Sequence, residues 1–471
     1  MEPNPAHVLI DHALALDWDR VPAAAQARTL AFVLDSLAVG VAGRHAAHAD
    51  GVLAVAQGWG EAGERSGRAA VLGRPGLLLP APSAAFVNGF QIHGQEYDCV
   101  HEPAVLHPMA TVLAALLAEL GRSGPVRGED LLAAVVAGVD VAVTLGLAAP
   151  DALRFFRPAT AGIFGCVAAI ARLRRLPRGV ALDAMGHALA LVSGTMQAHV
   201  EGKPALPVQV ANAARNALVA VDLALAGMPG VTRPLDGPFG YFALMEVREA
   251  LAPALALLAD GHRVTEVSWK PFPTGRAGHG GIVAVQRLMR EQGLAAGRLD
   301  SLEYHAPPLI HRLVGRPARP GMEPGYARLC LAYLAAVTLR RGTVGLGDFT
   351  REALDDPETL ALTARVRVVA DDNPDQAAFV PARAEARLTD GAVLVAGAVG
   401  VFFSSEQGRQ LIAFGRDAVK ETKKVVWPTR KEAMQMTGYV FAFVLVMALF
   451  LWLTDKTLEW VLYDLVLGWR R

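Results

Sequence analysis

The chain has 471 residues, 53% of them hydrophobic and 19% charged, which supports a large buried core and excludes a disordered or collagen-like polymer. Lysine plus arginine balances aspartate plus glutamate at 45 each, so no net positive charge marks a nucleic-acid partner. Cys99, Cys166 and Cys330 are dispersed and form no CxxC pair, which argues against a disulfide framework, and residues 1–19 lack the basic start of a secretory signal.

Residues 8–260 read mostly as helix, rich in Ala, Leu and Val with regular charged interruptions. In GEDLLAAVVAGVDVAVTLGLAA (128–149), Glu129, Asp130 and Asp140 assign an otherwise apolar run to a protein core rather than a membrane. Between two apolar helical runs, NGFQIHGQEYDCVHEPAVLHP (88–108) gathers His93, Glu96, Asp98, His101, Glu102 and His107. Acid–base residues facing a cleft are the favoured reading; a metal site, lacking HExxH or a cysteine pair, and structural capping are the alternatives.

The cations of residues 1–390 are 33 arginines and only two lysines, Lys203 in VEGKPALP and Lys270 in SWKPFPTGRAGHG. Both precede proline and so sit in loops, where a compact ammonium serves a site better than a solvated helix face. Arg157, in RFFRPATAGIFG, and Arg276 are candidate anion anchors. Together these residues suit a multiply anionic carboxylate, held by cations while a His or Glu moves a proton at the adjacent carbon. Beyond His262 the texture changes: TARVRVVA (363–370) and ARAEARLTD (382–390) alternate at strand period, whereas 276–290 and 326–341 read as helices, giving a smaller α+β domain over 262–390.

The segments AAFVNGFQIHGQEYDCVHEPAVLHP, RPATAGIFG, the GK loop followed by VANAARNALVAVDLALAGMPGVT, and WKPFPTGRAGH resemble the MmgE/PrpD family of 2-methylcitrate dehydratases, cis-aconitate decarboxylases and iminodisuccinate epimerases. The resemblance covers about residues 8–390. It implies a large helical domain, a smaller lid domain, a cleft between them, homodimers, and chemistry on di- or tricarboxylates without metal or other cofactor. By position it assigns His107, Glu96, Lys203 and Lys270 as catalytic, while Arg157, Arg276, His101 and Asp98 are read from the residues themselves as substrate-binding. Val100 stands where many members have Thr, and Arg157 where they have His, which implies a substrate other than 2-methylcitrate or cis-aconitate. The family pattern ends at about Asp390, and the closing helices that would return to the helical domain are not in the sequence.

From 436 to 453 the chain reads MTGYVFAFVLVMALFLWL, 18 residues without a charge. At about 1.5 Å per residue this is close to one hydrocarbon thickness. Pro428 breaks the preceding helix and Thr429 to Glu432 form a capping box for the span. Before the break, a helix over 404–426 carries Lys420, Lys423 and Lys424 on its polar side, as in helices lying on a membrane, and these charges with Arg430 and Lys431 place the N-terminal region in the cytoplasm. The run ETKKVVWPTRKEAMQMT (421–437) with the following span resembles SecE, the small subunit of the bacterial translocation channel. That resemblance implies an inner-membrane, single-pass module, 391–471, partnered by SecY and SecG through Lys424, Trp427, Pro428 and Thr429. It makes 391–403 the end of a preceding membrane helix.

The chain thus reads as mainly α: an all-helical domain over 1–261, an α+β lid over 262–390, then an amphipathic helix and one transmembrane helix at about 430–453. Three functional readings follow. The first is a lyase or isomerase fused to a SecE subunit. The second is an enzyme merely anchored by its tail, and the third is two separate proteins whose reading frames have been joined.

Overall fold

The computed structural model describes residues 4–63, 67–149, 153–246, 249–375 and 382–397, together with Leu449. The chain divides into two compact units, Met1–Val401 and Phe402–Arg471, and all but one of the described residues belong to the first.

The first unit begins with α1 (Pro5–Ala15), α2 (Ala23–Ala42) and α3 (Ala49–Gly58), followed by a two-stranded ladder of β1 (Ala69–Ala70) and β2 (Leu78–Leu79). Next come α4 (Ala81–His93), α5 (Pro108–Ser123), α6 (Gly128–Leu147), α7 (Arg157–Thr160), α8 (Gly162–Arg174), α9 (Arg178–Leu191), α10 (Gln197–Glu201) and α11 (Ala205–Leu225). Helix α11 packs on α4, α5, α8 and α9, while α8 packs on α5 and α6, so one layer of helices covers another. In α8 every residue from Gly162 to Leu173 is buried, and in α6 every residue from Ala133 to Gly146. Helices apolar all round can be stable only inside such a layer. Close approach is set by Gly138 and Gly165. A Cβ at Gly138 would lie 2.8 Å from the Cβ of Ala169 and 2.9 Å from the carbonyl oxygen of Gly165.

Two described helical stretches, Ala23–His45 and Gly128–Leu147, are long and apolar enough to cross a membrane. The second is a core helix, 78% buried, and Asp140 at its middle is fully enclosed by polar partners from other segments.

After α12 (Tyr241–Met245) and α13 (Leu251–Ala256) the architecture becomes mixed. Here α14 (His279–Gln292), β3 (Leu299–Ala306), α15 (Pro308–Val314), α16 (Pro324–Ala327), α17 (Leu331–Arg341), α18 (Arg351–Leu354), α19 (Pro357–Thr363), β4 (Val366–Ala370), β5 (Arg383–Leu388) and β6 (Val393–Gly397) follow in order. The strands form one sheet, β4-β3-β5-β6, in which β3 and β4 are parallel and the other pairs antiparallel. Helices α14 and α17 lie on it, α14 against β5 and β6 and α17 against β4. The parallel pair needs a crossover, which α15 to α19 supply.

One expectation is overturned. Residues 393–397, read from the sequence as the end of a membrane helix, are strand β6, paired in register with Arg383 to Arg387 of β5. Ala396 of β6 is buried while its neighbours in the chain are more exposed, the alternation of a sheet with one covered face. A short apolar run such as GAVLVAG has no periodicity that separates strand from helix, and only its pairing partner decides. The surface helix at 404–426 and the transmembrane helix at about 430–453, with Lys424, Trp427, Pro428 and Thr429, lie outside the described residues apart from Leu449, which is helical and exposed.

Candidate active site

The polar segment 94–107 is a loop between α4 and α5, and both ends are fixed by sequence. His93 is the last residue of α4, and His107 is the N-cap of α5 immediately before Pro108 at its first position, where proline costs no hydrogen bond. In between, Val100 pairs with Ser268 as a two-residue antiparallel bridge, N–H to carbonyl in both directions at 3.0 and 2.9 Å. The bridge holds the 267–270 stretch against the loop and delivers Lys270 to it.

Lys270 is buried, and its Nζ donates to the carbonyl oxygen of Glu96 at 3.1 Å and to its carboxylate at 3.0 Å. Glu96 has φ +51°, a conformation that side-chain-bearing residues avoid, and this double contact is what holds it there. The Lys270 ammonium also lies 3.8 Å from Asp98, which is fully buried. One oxygen of Asp98 accepts from Nδ1 of both His93 and His107, each at 3.0 Å, and the two rings meet edge to face with centroids 4.8 Å apart.

The charges follow from this geometry. Burial alone would raise the carboxyl pKa values, but His107, His93 and Lys270 outweigh it at Asp98 and hold that group well below its ordinary 3.8. At Glu96, burial is likewise overcome by Lys270, His93 and His107, and the pKa falls to about 2. The two imidazoles then diverge. For His93, burial is outweighed by Asp98 and Glu96 and the pKa rises; for His107, burial prevails and it falls. His107 is therefore neutral at pH 7. With Nδ1–H committed to Asp98, its lone pair sits on Nε2, the tautomer of a general base.

His107 lines a cavity of about 60 Å³, shared with Glu96, Val100, Glu102, His199 and Arg276 and walled by Phe156, Leu313 and Leu329. That is room for several waters, at about 10–15 Å³ each, or for a small carboxylate group. Arg276 reaches the cavity while paired to Glu102 at 2.6 Å. His199 is a site residue that the sequence reading missed. It lies on α10 four residues before Lys203, is buried, and is pushed down to about 3 by burial and by Arg316, whose Nη2 is 3.3 Å from its Nδ1. Asp35 of α2, also missed, stands behind the cluster with one carboxylate oxygen buried and unpartnered; burial and the charge of Asp98 raise it to about 7.

The remaining candidate residues are placed elsewhere. His101 turns away from the cavity, with Nε2 2.9 Å from Glu266 and Nδ1 accepting the N–H of Ala104. Arg157 is buried on Glu246, at 3.1 and 3.2 Å, beside Tyr241 and Thr160. Lys203 is exposed and does not line the cavity. Its loop is held close by Gly202, at φ +64°, where a Cβ would meet Tyr326 at 2.5 Å. His93, Asp98 and His107 could together present three donors to a metal ion, but Lys270 already brings a cation to Asp98, so the donor set fits a second cation poorly.

Comparison with known proteins matches three family models along the chain. The model of the MmgE/PrpD N-terminal domain matches residues 8–254, that of the MmgE/PrpD C-terminal domain matches 272–402, and that of SecE/Sec61-gamma subunits of the protein translocation complex matches 412–467. The C-terminal domain match passes Asp390 and takes in β6, as the sheet requires. Human cis-aconitate decarboxylase is 28% identical over 311 residues, 63% of this chain and 63% of the relative, so the chain spans less than two thirds of that protein. The cis-aconitate decarboxylase-like protein oryM of Aspergillus oryzae is 28% identical over 374 residues, covering 74% of this chain and 76% of the relative. Protein translocase subunit SecE of Vibrio cholerae is 47% identical over 70 residues, 15% of this chain and 56% of the relative. The chain belongs to the MmgE/PrpD family and carries a SecE-like segment after its MmgE/PrpD region.

Proposed function

We propose that the chain fuses a lyase or isomerase for a small di- or tricarboxylate with a SecE-like subunit of the translocation channel. The observation that carries the enzymatic half is His107: a neutral imidazole, oriented by a buried carboxylate, on the wall of a cavity that also presents Arg276. In this reading the α+β region is the lid over the helical domain. Arg276 pairs with a substrate carboxylate in exchange for part of its contact with Glu102, and Nε2 of His107 takes the proton from the adjacent carbon. Lys270 and Glu96, held against each other beside Asp98, set the field in which that proton moves and supply the second acid–base pair. Lys203 completes the anion site on substrate binding, from the loop that follows α10, the helix that carries His199. Arg157, already neutralised by Glu246, positions α7 and the start of α8 rather than the substrate.

The similarity to cis-aconitate decarboxylases supports a carboxylate substrate, and the Val100 and Arg157 departures favour one other than cis-aconitate. The SecE-like segment supports residence in the bacterial inner membrane, with the enzyme on the cytoplasmic face and SecY and SecG as partners. The test is turnover of a panel of di- and tricarboxylates by the full chain, with Lys203→Ala, Lys270→Ala and His107→Gln. Loss of turnover in His107→Gln is expected, and an unchanged rate in that variant overturns the assigned base.

A further inference from the structure

The donor set of two histidines and one aspartate occurs a second time, remote in sequence from the candidate site. His12 of α1, Asp140 of α6 and His262, which precedes the short turn Arg263–Glu266, converge from three segments. Nε2 of His12 and Nδ1 of His262 lie 3.0 and 2.7 Å from the same oxygen, Oδ2 of Asp140. The other oxygen, Oδ1, accepts the backbone N–H of Arg263 at 2.7 Å, which fixes the carboxylate so that Oδ2 faces the rings. Asp140 is fully buried, while His12 and His262 have side chains 19% and 15% exposed, so solvent reaches one side of the cluster.

We propose that His12, Asp140 and His262 form a binding site for a divalent transition-metal ion of the zinc class. Two imidazoles and one carboxylate with a solvent-facing fourth position is a ligand set such ions accept. With bonds of about 2.0–2.1 Å, donors around a tetrahedral ion stand roughly 3.3 Å apart. The two contacts to Asp140, at 3.0 and 2.7 Å, therefore need to open by roughly 0.3 and 0.6 Å, as each ring carries its proton on the other nitrogen and the ion takes its place. The contrast with the His93, Asp98 and His107 cluster decides between the two. There Lys270 stands 3.8 Å from the aspartate, whereas among the described residues no lysine or arginine side chain pairs with Asp140. An ion here ties α1 and α6 to the segment that opens the α+β region, next to Arg263 and Glu266, and Glu266 in turn holds His101 of the cavity loop.

The experiment uses the full chain in detergent, stripped with a chelator and then titrated with Zn²⁺ by calorimetry and with Co²⁺ by visible absorption. One ion per chain is expected, with the absorption of low-symmetry Co²⁺, two imidazole ligands by X-ray absorption on the Zn²⁺ form, and a melting temperature raised by Zn²⁺. His12→Gln and His262→Gln should each weaken binding at least about 100-fold and abolish the Zn²⁺-dependent shift, with unchanged far-ultraviolet dichroism of the metal-free chain. His93→Gln should bind as the parent chain does. The proposal is overturned if millimolar Zn²⁺ does not bind, if binding survives both His12→Gln and His262→Gln, or if it is lost in His93→Gln. X-ray absorption reports on the unmodified chain, so ligands other than two imidazoles overturn it even where a variant fails to fold.

Discussion

His93 and His107 share one carboxylate oxygen and are moved in opposite directions, because Glu96 sits beside the first while the second is left to burial. The proposed base, His107, is therefore unprotonated at neutral pH, and the acid limb of the pH–rate profile should fall below pH 6.5, the ordinary value for histidine. His107→Gln should lower kcat by about 10²–10⁴-fold with a smaller change in KM. Lys270 is the residue whose loss the fold should feel most. Lys270→Ala leaves Glu96 and Asp98 without their ammonium, and we expect a loss of about 3–5 kcal/mol in urea unfolding at pH 7. Adding Glu96→Gln to that variant should cost less than the sum of the two single changes, since both remove one interaction. Glu96 also sets an acid dependence. Its pKa is depressed from 4.5 to about 2 in the folded chain, so its stabilisation is complete above about pH 4.5 and is lost as the pH falls towards 2. The difference in urea midpoint between the parent chain and Glu96→Gln should shrink across that window. His107, Glu96, Asp98, Lys270 and Arg276 were legible because a polar cluster between apolar helices, and a lysine kept among arginines, are local signals. His199 and Asp35 were not, since tertiary packing alone brings α10 to the cavity and α2 behind the Asp98 cluster.

At the scale of elements, the helices of the first 260 residues follow from composition and from Asp140, which marks α6 as a core helix. Nothing in the linear pattern shows how closely α6 and α8 cross. That distance depends on Gly138 and Gly165 facing each other, and Gly138→Ala should destabilise the chain by about 1–3 kcal/mol in denaturant unfolding with no change at the cavity. Strands β4 and β5 were legible from period-two alternation, whereas β6 was not, because a continuous apolar run at a boundary carries no period. Its register on β5 is what assigns residues 393–397 to the MmgE/PrpD region.

For the whole molecule, the central claim is that one polypeptide joins an MmgE/PrpD region to a SecE-like segment. Helices α6 and α8 bury their apolar faces against their neighbours, whereas residues 436–453 are an 18-residue run without a charge. A protein that merely used this segment as an anchor would not bring the channel with it, so co-purification with SecY separates the two roles. The most direct measurement is fractionation of the native cells, with detection of the enzyme region and the C-terminal segment in the same sample and mass spectrometry of peptides spanning residues 388–401. The account predicts one intact chain of 49.8 kDa in the membrane fraction, resistant to alkaline carbonate, with SecY recovered alongside. Two shorter products that never share a junction peptide, or an intact chain that is fully soluble without detergent, would contradict it.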